Sequence, residues 1–309
     1  MKVVSVINYK GGVGKTTLTA NLGAYAAFAG RRVLMIDLDP QSHLAFSFMT
    51  PEEWRDKYAD TKTLLSYFEP LTRGADEAVD LSSLVIPLNM GDLLNLQGLK
   101  LGLISSHLNM IDIDMQLAGL VSAPTQIMLA ANSLKTCSYL RNQLDKMKDE
   151  YDLVLLDCPP NFYLLVKNAV VASNYYIVPA KLDYLSTLGV MELQKKIEAY
   201  LRQYEEYRVL LGEGRYRPVF LTAFGIVPMM VNIHKGDEPI SAEREYMKVM
   251  KDNGHYIFHF VRNNSSVFGA APFDGVPAVL TRPRFNLTAR RIVREMQELG
   301  EEFLGRLGI

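Results

Sequence analysis

Cysteine is scarce in this 309-residue chain, with Cys137 in a predicted helix and Cys158 at the end of a predicted buried strand. That excludes a disulfide framework, and the pair lacks metal-ligand spacing, which removes structural zinc and thiolate-held iron–sulfur clusters. A reducing cytoplasm is the compartment such usage suits. Long apolar runs are missing too, since none approaches the ~18–20 residues that cross a bilayer. Neither charge sign dominates: 33 Lys and Arg meet 34 Asp and Glu, for a formal net charge of −1. A globally basic coat for nucleic acid is thereby excluded, and any DNA contact has to be regional. The chain opens directly on an apolar strand pattern, Val3-Val4-Ser5-Val6-Ile7. On that pattern no signal peptide, transit peptide or preceding helix-turn-helix is expected. Repeats and low-complexity tracts are also lacking. These absences leave an expected soluble, cytoplasmic protein, about half apolar and long enough for one large domain spanning 1–309.

Directly after the first strand comes Lys10-Gly11-Gly12-Val13-Gly14-Lys15-Thr16-Thr17. A phosphate-binding loop needs glycines that let backbone N–H groups close around phosphate oxygens, a lysine on the outer phosphates, and a hydroxyl on magnesium. Gly12, Gly14, Lys15 and Thr16 fill those parts. The segment Thr16 to Phe28 is rich in Ala and Leu and stops before Gly30, so it is predicted as a helix. Its N-terminus adds partial positive charge under the phosphates. A lone Gly-Gly pair is more often a plain tight turn; the whole pattern between strand and helix predicts nucleotide binding. Lys10 is a second lysine that an ordinary phosphate loop does not need. The usual fate of a surface lysine is to be a solvated charge, yet this one lies at the loop's mouth.

The signature resembles the deviant Walker A motif of the ParA/MinD/Soj ATPases, nearest to the ParA (Soj-like) partition ATPases. Arg32-Val33-Leu34-Met35-Ile36, leading into Asp37-Leu38-Asp39-Pro40-Gln41, is similar to the family's second motif. Tyr151-Asp152-Leu153-Val154-Leu155-Leu156-Asp157-Cys158-Pro159-Pro160 is similar to its Walker B. The apolar part of the latter reads as a buried strand, and a strand-end Asp seen alone is as often a helix cap. The resemblance implies ATP and Mg²⁺ as cofactors, with Lys10 to Thr17 around the nucleotide. It further implies that Thr16 binds the metal directly while Asp37 and Asp157 hold its waters, as suits a hard ion that keeps most of its hydration. Lys15 then neutralises the outer phosphates, and Asp39 positions the attacking water in a slow, partner-stimulated hydrolysis. Lys10 reaches the partner subunit's ATP, which implies an ATP-sandwich homodimer and a positive charge added at the transition state.

Strands alternating with helices predict a doubly wound, mainly parallel α/β sheet with helices on both faces. Predicted helices are Ser42 to Met49, Pro51 to Tyr58, Ile111 to Ala118, Thr125 to Lys148, Asn161 to Ala172 and Leu185 to Tyr204. Predicted strands include Leu101 to Ser106, Tyr175 to Pro179 and Pro218 to Phe224. Surface elaborations are expected near 50–100 and 202–241, where Gly212, Gly214, Gly236 and Pro239 punctuate the chain. Trp54, the single tryptophan, is expected to pack partly onto the domain.

The chain departs from the family after the strand ending Leu221-Thr222-Ala223-Phe224. Partition ATPases usually carry a Thr-Met-Asp-Arg-like turn there, whereas this chain reads Gly225-Ile226-Val227-Pro228-Met229-Met230, without the arginine. Phe260-Val261-Arg262-Asn263 keeps one arginine of a later family motif. A further cluster, Arg282, Arg284, Arg290, Arg291 and Arg294, together with Arg262, makes the candidate DNA contact, because clustered cations suffice for non-specific phosphate binding. Glu295, Glu298, Glu301 and Glu302 follow at once, so helix-surface ion pairs are the competing reading.

The reading is a nucleoid-associated ParA-like ATPase that segregates or positions plasmid or chromosome DNA, with a ParB-like or other cargo adaptor triggering hydrolysis. Positioning of a protein cargo shares the same core. A MinD-like membrane ATPase would need a basic amphipathic C-terminal helix, and Ile292 to Ile309 is mixed in charge. Lys10 argues against an ATP-dependent ligase, and the lack of a tyrosine-rich tail argues against a kinase of this lineage.

Overall fold

Runs of aliphatic and β-branched residues form strands β1 (Lys2–Val6), β2 (Val33–Asp37), β3 (Ile86–Pro87), β4 (Leu101–Ile104), β5 (Leu153–Asp157), β6 (Tyr175–Ala180), β7 (Thr222–Val231) and β8 (Val261–Arg262). The computed structural model describes residues 1–74, 79–88, 100–212, 214–234, 238–270, 275–281 and 286–309. Among them one sheet has the order β3-β4-β2-β5-β1-β6-β7-β8. Its pairings are parallel except β3 with β4. This is the doubly wound α/β sheet expected from the alternation of strands and helices.

Residues alternate between the two faces, as the two-residue strand period requires. Val3, Leu34, Ile36, Val154 and Leu156 enter one core layer, and Val4, Val6, Val33, Met35, Leu153 and Leu155 the other. Burial on both faces is why these strands are continuously apolar rather than alternating. Helices α3 (Leu64–Thr72), α4 (Met110–Val121), α5 (Gln126–Cys137), α6 (Tyr139–Leu144), α7 (Leu164–Ala172) and α8 (Tyr184–Leu210) contribute to the first layer. The second takes α1 (Lys15–Phe28) and α11 (Leu287–Leu307), α9 being Ser241–Asp252 and α10 Ser265–Phe268. In β5, Asp157 stands in register with both Val6 of β1 and Asp37 of β2. The carboxyl ends of these strands therefore converge at one crevice, where an open α/β sheet places its ligand.

Several elements differ from the sequence expectation. The helix predicted over Ser42 to Met49 is only a 3₁₀ turn, Ala45–Ser47. The Leu44 N–H is drawn to the Asp37 carboxylate at 3.1 Å, so the chain wraps around that acid instead of coiling. Thr125 to Lys148 is not one helix: it breaks at Ser138, whose hydroxyl meets Tyr204 at 3.0 Å. Asn168 Oδ1 there accepts the Leu140 N–H at 3.2 Å, replacing helical bonds with tertiary ones. The strand predicted over Pro218 to Phe224 runs instead from Thr222 to Val231. The stretch Gly225 to Met230, expected to be a turn, thus lies inside β7, which ends at Val231. Nor are the elaborations purely superficial. Residues 50–100 supply α2 (Pro51–Lys57), the buried Tyr67 and Phe68 of α3, and edge strand β3, while 202–210 complete α8. Trp54 packs as expected, edge-on to Phe46 with its indole N–H donating to Ser105 Oγ at 2.8 Å.

Candidate nucleotide-binding site

The phosphate loop leaves β1 and enters α1 through two left-handed glycines, Gly12 at φ +66 and Gly14 at φ +89. L-residues with a Cβ rarely adopt such angles. Gly14 also needs its missing side chain, because a Cβ there would stand 2.8 Å from Met229 Cε of β7. Asn8 anchors the loop's base: its amide donates to the Pro179 carbonyl at 2.8 Å and its Oδ1 accepts the Lys10 N–H at 3.0 Å. Val13 is fully buried. The Lys15 ammonium is buried too and donates to the Lys10 carbonyl at 3.2 Å. Burial lowers its pKa, opposed by Asp157 and Asp39. Thr16 and Thr17 are part-buried on the first turn of α1.

Three acids face this loop. Asp37 is fully buried and accepts the N–H groups of Asp39 (3.0 Å) and Leu44 (3.1 Å). Asp39, part-buried, accepts the Gln41 N–H at 3.0 Å. Asp157 takes a hydrogen bond from Thr19 Oγ1 at 3.2 Å on one oxygen, while its Oδ2 is buried with no hydrogen-bond partner. Burial pushes the Asp157 carboxyl up to about 7, against the Thr16 hydroxyl and Lys15. Desolvation, with Asp157 and Asp39 adding to it, also raises Asp37. Buried polar atoms are almost always satisfied. An orphan carboxylate oxygen beside Thr16 and Lys15 is therefore what a hydrated Mg²⁺ site requires, and the residues present fit that ion.

Lys10 does not float in solvent. Its ammonium donates to Asp183 Oδ2 at 2.9 Å and to Ser186 Oγ at 3.1 Å, at the N-terminus of α8.

Residues 1–207 match the AAA_31 family model, an AAA domain. Among relatives, the sporulation initiation inhibitor protein Soj of Bacillus subtilis is 29% identical over 283 residues, covering 92% of each chain. The chain belongs to the ParA/MinD/Soj family. Two solved structures share the fold. A Cyanothece McdA variant in complex with ATP has a TM-score of 0.70 at 18% identity, covering 100% of this chain and 97% of that one. Cobyrinic acid a,c-diamide synthase of Mycobacterium smegmatis with an ATP analogue and magnesium has 0.63 at 21%, covering 100% and 96%. The ligase expected to be excluded by Lys10 is thus a fold relative, and fold alone does not separate the two.

In this ParA/MinD/Soj chain the structure brings Lys10 to Thr17, Asp37, Asp39 and Asp157 together, and among the described residues it sets Arg262 apart from Arg290, Arg291 and Arg294. Arg262 is withdrawn into an ion pair with Glu295, Nε to Oε1 at 2.7 Å, with both side chains largely buried. The guanidinium expected to contact DNA thus already faces a buried carboxylate. Arg290, Arg291 and Arg294 are exposed on one stripe of α11, continued by the exposed Glu298 and Glu301. Arg282 and Arg284 lie outside the described residues. The opposite face of α11, with Ile292, Met296, Leu299 and Phe303, is in the core. Sequence reasoning missed Asn8, Thr19, Asp183 and Ser186. Only Asp183 carried a local signal, as a helix-capping residue two positions before the predicted helix start.

Proposed function

We propose that the chain is a ParA-like ATPase that forms an ATP-sandwich dimer, binds DNA without sequence preference and segregates or positions plasmid or chromosome DNA through adaptor-stimulated hydrolysis. The observation that carries this reading is the double-lysine loop, with buried Lys15 directed inward and Lys10 held at the rim. Bound Mg²⁺ would supply charge neutralisation between the outer phosphates. Backbone N–H groups of Gly11 to Thr17 and the N-terminus of α1 cradle the phosphates. Lys15 would hold the outer phosphate oxygens, and Thr16, Asp157 and Asp37 are the residues that would hold the hydrated metal. Asp39 orients the attacking water, and Lys10 of the second subunit meets charge developing on the phosphoryl group. The exposed arginines of α11, Arg290, Arg291 and Arg294, are the described candidates for phosphate contact, with Arg282 and Arg284 preceding them in sequence.

Membrane attachment through the last helix is disfavoured, since the apolar face it would need is already packed in the core. Among the described residues no helix is long and apolar enough to cross a membrane. Positioning of a protein cargo on the nucleoid would use the same core and is the second reading. The test is DNA co-sedimentation with ADP, and with ATP in an Asp39→Ala chain, at two salt concentrations, with liposome pelleting in parallel. ATP-dependent, salt-sensitive and sequence-indifferent DNA binding is expected. Liposome binding without DNA binding would overturn the reading.

A further inference from the structure

Asp183 divides its carboxylate between two donors. Oδ1 accepts the Ser186 N–H at 2.7 Å and so caps α8, while Oδ2 takes the Lys10 ammonium at 2.9 Å. Ser186 Oγ accepts a second bond from the same ammonium at 3.1 Å. Lys10 is fixed along its length, for its N–H is bonded to Asn8 and its carbonyl takes the Lys15 ammonium. Partial burial raises the Asp183 carboxyl, yet the Lys10 and Ser186 bonds outweigh it and hold it below the usual carboxylate range. The ammonium thus has two acceptors inside its own subunit. A lysine with its positive charge on a carboxylate in cis cannot also serve a phosphate in trans.

We propose that Asp183, with Ser186, is a positioning residue that parks Lys10 in the resting subunit and thereby sets the nucleotide concentration and protein concentration at which two subunits join. This rests on the dimer reading above. The pair spans the β6–α8 connection and the phosphate loop, so self-association has to open it in each subunit before Lys10 can cross. Its side chains are 39% and 44% exposed, and pairs at that exposure are weak. Each is worth a factor of about two to five. A dimer opens two of them, so their loss should strengthen association about four- to twenty-five-fold. A weak hold suppresses accidental pairing and still yields to a polyphosphate of higher charge. The neighbouring turns of α8 leave Tyr184, Leu185 and Leu188 exposed, an apolar surface beside the parked ammonium that pairing could cover.

Asp183→Asn tests this, because asparagine caps a helix as well as aspartate but cannot hold an ammonium by charge. Sedimentation velocity of the full chain, in the Asp39→Ala background with ATP and Mg²⁺, should show dimers at a four- to twenty-five-fold lower concentration for Asp183→Asn. Lys10→Ala by itself removes the dimer, so the readout that a merely structural role of Asp183 would not move is the acylation rate of Lys10. Equal or weaker dimerisation in a folded Asp183→Asn chain overturns the proposal. Acylation footprinting of the monomer separates the two layers of argument. Lys10 in Asp183→Asn, and to a lesser degree in Ser186→Ala, should label several times faster relative to Lys195. If the parent chain never dimerises with ATP, the dimer reading falls, and with it the threshold role, while labelling still decides whether Asp183 restrains Lys10. Unchanged labelling refutes the restraint itself.

Discussion

Removing the Glu295 carboxylate should unfold the chain at a markedly lower temperature, and this decides what Arg262 is for. The Arg262 side chain is 13% exposed and that of Glu295 8%. Nε donates to Oε1 at 2.7 Å and the Arg262 backbone N–H reaches Oε2 at 3.3 Å, tying β8 to α11. Glu295→Ala would leave a guanidinium largely buried without the carboxylate that faces it. Breaking a buried pair from one side costs about 3–5 kcal/mol. For a chain of this size that is roughly 2 °C per kcal/mol, or a fall in Tm of about 6–10 °C. Glu295→Gln keeps the shape and part of the hydrogen bonding, so its loss should be about half. Arg262→Met with Glu295→Leu removes both charges together and should recover most of the stability, as such replacements often do. Thermal unfolding followed by circular dichroism supplies the Tm values, and a DNA mobility shift on each folded variant supplies the second axis. A Glu295→Ala chain melting within about 2 °C of the parent would refute the buried-pair argument. So would an Arg262→Ala chain that keeps its Tm while losing DNA affinity.

Other outcomes follow from the site. Because burial raises both Asp37 and Asp157, the latter to about 7, the metal-free pair holds a proton near neutral pH. Mg²⁺-nucleotide binding should release protons near and below pH 7 and fewer as the pH rises past it, measured by calorimetry in buffers of different ionisation enthalpy; pH-independent release would count against it. For folding the sign is the reverse of the usual carboxylate. The folded chain binds more protons than the unfolded one between about pH 4 and 7, so Asp157's contribution to stability declines as pH rises through that window. Lys15→Ala should abolish nucleotide binding in a fluorescent-nucleotide titration, whereas Lys10→Ala should bind as a monomer and lose ATP-dependent dimers. An unchanged dimer fraction in the latter would remove the sandwich. Asn21 of α1 accepts the Val279 N–H at 2.8 Å and donates to the Thr17 carbonyl at 2.8 Å. Asn21→Ala should therefore cost about 1–3 kcal/mol in denaturant unfolding by orphaning the buried N–H.

What could be read from sequence was local. The phosphate loop, the start and end of α1, and the acids at the ends of β2 and β5 each depend on a few neighbouring residues with narrow conformational options, such as Gly12 and Gly14. What escaped depended on distant partners. Nothing near Ser138 announces that Tyr204 and Asn168 will break a helix there, and nothing near Ala45 shows that a buried acid will claim the Leu44 N–H. β7 lies away from its expected place because Gly225 and Pro228 have the character of turn residues, although both sit within the strand. Arg262 looks like a surface cation since Glu295 lies 33 residues away in sequence. Asp183 stands two residues outside a predicted helix boundary, where such boundaries are least certain.

Helix α11 is seated on α1 so closely that a Cβ at Gly300 would come 2.3 Å from the Tyr25 ring. Because α1 begins at Lys15 of the phosphate loop, the exposed arginines of α11 sit on a helix packed directly against the helix that carries the phosphate cradle. The cationic stripe therefore has a heading as well as a charge. Two chains locked in a fixed relation by nucleotide would present two such headings at a fixed angle. The register of contacts along a duplex would then be written by helix packing, with no linker able to average it away.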